Sequence, residues 1–410
     1  MLKKSPYTLK KIGPLIDLLS GFAFKSNEFS DVATTEQHIR LLRGINITEN
    51  AIRNNDTIDK FWFNSSTDLD KYYLKEGDLV ISMDGSKVGR NYALVSPKDL
   101  PSLLVQRVAR IRAKEGLHLP FLHQLIGSKI FTDYVDSVKT SSGIPHISAK
   151  QIKEFSIPLP NIAIQQKIAE VLSTVDKKID LIDQKIAETE KLKTGLMQKL
   201  FSEGVGIQDE NGEWQPHTDF ETVEGSQIPK GWLKTTLSQV IKVKSGDSLS
   251  KKNMEEGCIP VFGGNGISGY HSKPNFNSPQ LVIGRVGEYC GAVHITPEKS
   301  WITDNALLVT ETLINVSFEF LYYLLVSVDL NKYASRNAQP LVSGRTLNLV
   351  TIKVPQEAEQ YEIVNILSTV DKKLILLNRQ MEETRRLKKG LMQKLLTGEW
   401  RVPVEETEAA

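Results

Sequence analysis

Apolar residues recur at steps of three and four along residues 164–200: Ile164, Ile168, Val171, Val175, Ile179, Ile182 and Ile186, then Leu192, Leu196 and Leu200. The pattern returns with Ile363, Ile366, Val370, Leu374, Leu377 and Met381, then Leu387, Leu391 and Leu395. A seam this narrow, flanked by Lys and Glu, predicts helices that pair with each other rather than dock on a sheet. Each is expected to run about 35–40 residues, roughly 55–60 Å at 1.5 Å per residue. Pro160 and Pro355 stand just before the two starts, and Gly204, Gly206 and Gly398 lie past the two ends.

The two helices are copies. Residues 165–200 and 360–395 align at a constant offset of 195 with 20 of 36 positions identical. The repeat reaches back into the segments before them, where SGIPHISAKQIKEFSIPLP (142–160) matches NAQPLVSGRTLNLVTIKVP (337–355). Pro145 then corresponds to Pro340, Ser148 to Ser343 and Lys150 to Arg345. Earlier still, FLHQLI (121–126) corresponds to FLYYLL (320–325) after a shift of four residues, and each reads as a short helix closing a globular domain.

The rest of each globular segment reads as strands. The runs DLVISM (78–83), YALVS (92–96), LLVQRVARI (103–111), QLVIG (280–284) and NALLVT (305–310) are separated by Gly, Asp and Pro turns. An α+β domain built on a curved sheet is expected in each half. The division predicted is 1–160 first globular domain, 161–204 first helix, 205–230 acidic linker, 231–355 second globular domain, 356–398 second helix and 399–410 tail. If the helices pair, the short linker forces an antiparallel arrangement with one domain at each end and a pseudo-two-fold internal repeat. Two readers on a fixed spacer suit a bipartite DNA site.

Composition alters this picture little, but charge placement sharpens it. The net charge is only +2, yet residues 1–160 carry 22 Lys and Arg against 17 Asp and Glu, and residues 231–355 carry 12 against 9. The stretch 202–230 holds one Lys against seven acids. Both globular segments are thus mildly basic, and the acidity sits in the connector. Two cysteines, Cys258 and Cys290, offer no disulfide framework and suit a reducing cytoplasm. The lysines near the N-terminus are followed by no apolar stretch of a secretory signal, and the longest apolar run, near FLYYLLVSV, is too short to span a bilayer.

Catalytic motifs are not found. There is no G-x-x-x-x-G-K-[ST] phosphate loop and no Asn/Asp-Pro-Pro-aromatic tetrapeptide of an adenine methyltransferase. Gly263-Gly264-Asn265-Gly266 follows a strand-like run but opens no helix, so it reads as a turn. Cys258, His271, Cys290 and His294 match no standard zinc spacing and read as buried thiols and ordinary histidines, with no metal site expected. The architecture alone also fits a structural coiled-coil scaffold presenting two protein-binding domains. A stand-alone enzyme acting on DNA would need motifs that are missing.

The chain resembles the specificity subunit of a type I restriction-modification system. The resemblance rests on LSTVDKKI/LSTVDKKL, LKTGLMQKL/LKKGLMQKL, SIPLP/TIKVP, IPKGW (228–232), IPVFGGNGISGY (259–270), QLVIGRVGEYCGAV (280–293), GDLVISMDGSKVGRNYALV (77–95) and VQRVARIR (105–112). It implies a non-catalytic subunit with two target recognition domains, each reading half of an asymmetric site in double-stranded DNA. It further implies assembly with two methyltransferase subunits and, in the full complex, two restriction/translocase subunits. S-adenosylmethionine, ATP and Mg would then belong to those partners, with no cofactor on this chain.

Such domains need cations and hydroxyls for phosphates, and Arg, Asn, Gln or Lys for base edges. The candidates in the first domain are Ser86, Lys87 and Arg90, then Arg107, with neighbouring Arg110, and Ser142 and His146. Those in the second are Lys244, beside Lys242, then Arg285 and Tyr289, and Arg336, Asn337, Gln339 and Arg345.

Overall fold

The computed structural model describes residues 6–33, 38–62, 67–140, 143–335 and 339–403. The chain divides into two compact units, residues 1–183 with 380–410 and residues 184–379. Helices in chain order are α1 (Leu119–Ile126), α2 (Lys129–Val138), α3 (Ala149–Glu154), α4 (Ile162–Ser202), α5 (Phe318–Val328), α6 (Gly344–Leu347) and α7 (Glu357–Thr397). No helix among the described residues is long and apolar enough to cross a membrane.

The globular part of the first unit holds two four-stranded sheets rather than the one curved sheet expected. One runs in the order Ile16–Ser20, Val108–Ala113, Leu79–Ser82, Tyr92–Leu94, all antiparallel. The other runs Ser102–Leu104, Ile39–Leu42, Phe61–Trp62, Phe29–Ser30. The apolar run 103–111 therefore does not form a single strand. Leu104 ends a strand of the second sheet and Val108 begins one of the first. Between them the chain turns at Arg107, whose φ of 66° is rare for a residue with a Cβ.

In the second unit Ile241–Ser245, Ala306–Thr312, Leu281–Gly284 and Val293–Ile295 repeat the first topology strand for strand. A three-stranded sheet, Gly266–His271, Ile259–Gly263 and Trp301–Ile302, accompanies it.

Each domain is closed on its long helix by a two-stranded ribbon. Leu9–Lys11 pairs with Ser156–Pro158, and Leu233–Thr236 pairs with Thr351–Val354, immediately before α4 and α7.

A buried glutamine then fixes each helix start. Gln165, fully buried, accepts from the His118 amide at 2.8 Å and donates to the carbonyls of Gly116 and Pro160 at 3.0 and 2.9 Å. Its repeat mate Gln360, 2% exposed, accepts from Ser317 and donates to Asn315 and Pro355 in the same geometry. One side chain thus satisfies the loop before α1 or α5 and the first turn of the long helix together.

Both long helices contribute to both units, and they pair antiparallel within each. In the first unit Ile168, Ala169 and Leu172 share a core with Met392, Leu395 and Leu396, and Asp176 meets Lys388 at 2.6 Å. In the second, Met197 and Leu200 pack with Ile363 and Leu367, and Lys193 meets Asp371 at 2.6 Å. The two ion pairs are copies at the repeat offset. Each aspartate also accepts from its domain's short helix, from Gln124 of α1 at 2.8 Å and from Tyr323 of α5 at 2.7 Å.

The seam departs from the expected leucines at one place in each helix. Leu192 and Leu387 are 51% and 54% exposed. The steps of three and four continue instead through Thr189 and Thr384, 4% and 6% exposed. Each threonine returns its hydroxyl to a carbonyl four residues earlier, at 2.6 and 2.7 Å, which lets a polar residue sit in the seam.

The acidic connector carries regular structure. It forms the hairpins Ile207–Gln208/Trp214–Gln215 and Phe220–Val223/Ser226–Pro229. Buried Glu359, on the first turn of α7, gathers it in. Its carboxylate accepts from the amides of Val205 and Gly206 at 2.8 and 3.1 Å and from Trp232 Nε1 at 2.8 Å, and it meets His217 Nε2 at 3.0 Å.

Replacing Gln165 by Ala leaves the partly buried His118 amide and the buried Pro160 carbonyl unpaired, while the exposed Gly116 carbonyl turns to water. At about 1 kcal/mol for each orphaned group, denaturant unfolding should show a loss on the order of 2 kcal/mol. Gln360→Ala should lose a similar amount.

Candidate nucleic-acid interface

A cleft of about 610 Å³ opens in the first domain where its two sheets meet. Its walls are the loop after Leu79–Ser82, the turn at Arg107, and the segment from Arg43 to Arg53. Its charged lining residues are Arg43, Arg53, Lys87 and Arg107 against Asp84, an excess of positive charge. Ser86 and Lys87 are exposed on one lip.

Arg107 is fixed on its backbone and exposed at its tip. Its carbonyl accepts from the Met83 amide at 2.8 Å, while Val108 closes the turn onto Val105. The guanidinium is 61% exposed and meets Asp84 at 2.9 Å. Arg43 and Arg53 are tethered through their own tips. Arg43 donates to the Ile58 carbonyl and Arg53 to the Ile45 carbonyl, which holds both cations along the opposite wall.

The loop frame depends on glycine. Gly85 has φ 96° and donates to the Pro145 carbonyl at 3.0 Å, and its counterpart Gly287 has φ 95° and donates to the Pro340 carbonyl at 3.0 Å. His146 and Leu341 complete the same bridges, to Asp84 and Val286. The two domains thus share one backbone frame and carry different side chains on it. In the second domain the cation is Arg285, whose Nη1 donates to Ser245 Oγ at 3.0 Å and to the Asp304 carbonyl at 3.3 Å.

The doubled frame has a counterpart among known families. The family model for the type I restriction modification DNA specificity domain matches residues 4–191 and again 229–384. The chain belongs to that family. It is the DNA specificity subunit of a type I restriction-modification system, a non-catalytic member of the complex.

Relatives agree with this assignment. The MjaVIII specificity subunit of Methanocaldococcus jannaschii is 25% identical over 358 residues, 80% of each protein. The EcoAI specificity subunit of Escherichia coli is 34% identical over 172 residues, covering 41% of this chain and 28% of that one. The crystal structure of the type I S subunit from M. genitalium matches over 96% of both chains with a TM-score of 0.62 at 19% identity, which supports the fold.

Within this specificity subunit, the structure brings Ser86, Lys87 and Arg107 to one cleft, with the His146 backbone bracing its floor. Arg90 does not join them. It pairs with Asp136 of α2 at 3.3 Å and borders a separate cleft against α4 and the end of α7. Arg110 is 4% exposed and ion-paired with Asp17, a structural residue rather than a surface cation. In the second domain Lys244 and Tyr289 are exposed on elements next to Arg285, and Gln339 lies against Gly287. Arg345 is exposed on α6, just past the strand-like pairing of Val342 with Arg285. Lys242 is engaged with Glu311 at 2.8 Å. Ser142, Arg336 and Asn337 lie outside the described residues.

Arg43, Arg53 and Asp84 are not among the candidates that the sequence offered. Arg43-Gly44 following the strand-like segment Ile39–Leu42 was the available signal, a cation and a glycine at a strand end. Cys258 is exposed and Cys290 buried, and among the described residues no group of three His, Cys, Asp or Glu is placed to hold a metal.

Gly291 completes the second loop at φ 90°, and a Cβ there would lie 2.6 Å from the Asn331 amide nitrogen. Gly291→Ala should therefore lower the thermal midpoint of the second unit and weaken DNA binding, measured by calorimetry and by fluorescence anisotropy.

Proposed function

We propose that each globular domain, 1–160 and 231–355, is a target recognition domain reading one half of a bipartite asymmetric site in double-stranded DNA. The observation that carries this reading is the shared loop frame bearing unlike side chains, Asp84 and Arg107 in one domain and Arg285 in the other. A common frame docks both domains alike on the duplex, while unlike side chains ask for different bases. The segments 161–204 and 356–398 act as the spacer, 205–230 as the connector and 399–410 as a tail.

The same helices serve as the docking surface for methyltransferase subunits. Support comes from apolar residues left exposed at repeat-related places. Leu181 and Leu387 in the first unit are 57% and 54% exposed, and Leu376 and Leu192 in the second are 55% and 51%. A doubled surface suits two methyltransferase subunits, with two restriction/translocase subunits added in the full complex. S-adenosylmethionine, ATP and Mg are bound by those partners, in the cytoplasm where the DNA lies.

Exchanging residues 231–355 for the matching domain of a related subunit should change one half of the methylated sequence and leave the other intact. Sequencing of methylated positions reads this directly, and a change in both halves would overturn the modular reading. Inserting seven residues into both α4 and α7 adds about 10 Å. The unread spacer between the half-sites should grow by roughly three base pairs at 3.4 Å each, with the half-sites unchanged.

A further inference from the structure

We propose that Arg107, positioned by Asp84, is the residue through which the first domain demands a guanine in its half-site. The inference rests on the DNA-reading function above and goes beyond it by naming the base and the residue pair.

Three observations converge on this pair. The first is backbone placement. Arg107 holds φ 66°, a conformation that costs a Cβ-bearing residue free energy and persists where the surroundings over-determine it. Here the Met83 amide and the Val105–Val108 turn do so, and Arg107 lines the cleft.

The second is the hydrogen-bonding edge left available. Nη1 of Arg107 donates to Asp84 Oδ2 at 2.9 Å, and among the described residues Asp84 is that side chain's only hydrogen-bonding partner. The Nε–Nη2 edge remains, and its parallel N–H bonds match O6 and N7 of guanine in the major groove.

The third is the carboxylate itself. An arginine intended for a phosphate gains nothing from a carboxylate 2.9 Å away, which would repel the anion. A base reader gains order, because the guanidinium is held in one plane before DNA arrives. Asp84 is only 21% exposed, and Ser82 Oγ and the bridge to His146 hold its backbone. Its remaining acceptor capacity suits the amino group of the cytosine paired to that guanine. Lys87 and Ser86 on the lip are left for the phosphates.

The second domain supplies an internal control. By backbone pairing, Val286 stands where Asp84 does, and Asn305 stands where Arg107 does. The device belongs to one domain alone.

The test expresses the full-length chain with the methyltransferase of its own system in a host without that methylation, then sequences the methylated positions. Wild type, Arg107→Ala, Arg107→Lys, Asp84→Asn and Arg285→Ala are compared, each with a melting curve and a salt titration of DNA binding. The expected result is one required guanine in one half-site. Its preference should fall on the order of tenfold to a hundredfold in Arg107→Ala and Arg107→Lys, and partly in Asp84→Asn. The other half should change only in Arg285→Ala. Should Arg107→Ala fail to fold, Arg107→Lys and the isosteric Asp84→Asn decide the matter. A motif unchanged in the Arg107 and Asp84 variants, or altered in both halves, overturns the proposal. A wild-type chain giving neither methylation nor salt-dependent DNA binding would instead sink the underlying functional reading.

Discussion

A buried primary amide locks each globular domain to the start of its long helix. Gln165 and Gln360 sit with almost no exposure at the first turn of a long helix, and each engages three backbone groups from two other segments. A buried amide that lost these partners would carry its full desolvation cost, so the geometry around it admits little variation. The loop leading into α1 or α5 is thereby locked to the helix, and the helix to the ribbon before it. Asp176 and Asp371 repeat the arrangement about three turns further on, each taking a bond from the short helix and an ion pair from the opposite long helix. Interior polar contacts of this kind set orientation, while the leucine and isoleucine cores supply the bulk of the driving force.

How much of this was legible in the sequence follows from what periodicity can and cannot report. The helices, their antiparallel pairing and the internal copy were all readable, because a seam spaced by three and four leaves a signature along one strand of text. Leu192 and Leu387 misled for a specific reason. A threonine that returns its hydroxyl to its own helix behaves as a small apolar residue, and hydropathy does not register that. The break of the run 103–111 into two strands was invisible because the turn at Arg107 carries neither glycine nor proline. The cleft at Arg107 was the least legible part. It arises where two sheets meet, so Arg43 and Arg53 become neighbours of Arg107 only through pairings distant in sequence. Arg90 and Arg110 illustrate the converse, since a cation adjacent in sequence is engaged elsewhere once Asp136 and Asp17 are in place.

The two domains divide labour between backbone and side chain. Gly85 and Gly287 adopt the same positive φ and make the same amide-to-carbonyl bond, so the scaffold of the loop is common property. The cation that projects from it is not. In one domain it arises from the turn into Val108–Ala113, in the other from the end of Leu281–Gly284, with different partners at the guanidinium. Such a division lets side-chain chemistry vary without disturbing the peptide frame that presents it.

The polar members of the helix seam have a further consequence. Asp176 with Lys388, and Lys193 with Asp371, are largely withdrawn from water, with side-chain exposures of 16% and 16%, and 25% and 27%. Sliding one helix past the other by a heptad would keep leucine against leucine, yet it would strand all four charges opposite the wrong neighbours. An all-aliphatic seam tolerates such slippage; this one penalises it at two separate stations. Within each unit the register of the two helices is therefore selected by charge as well as by apolar contact.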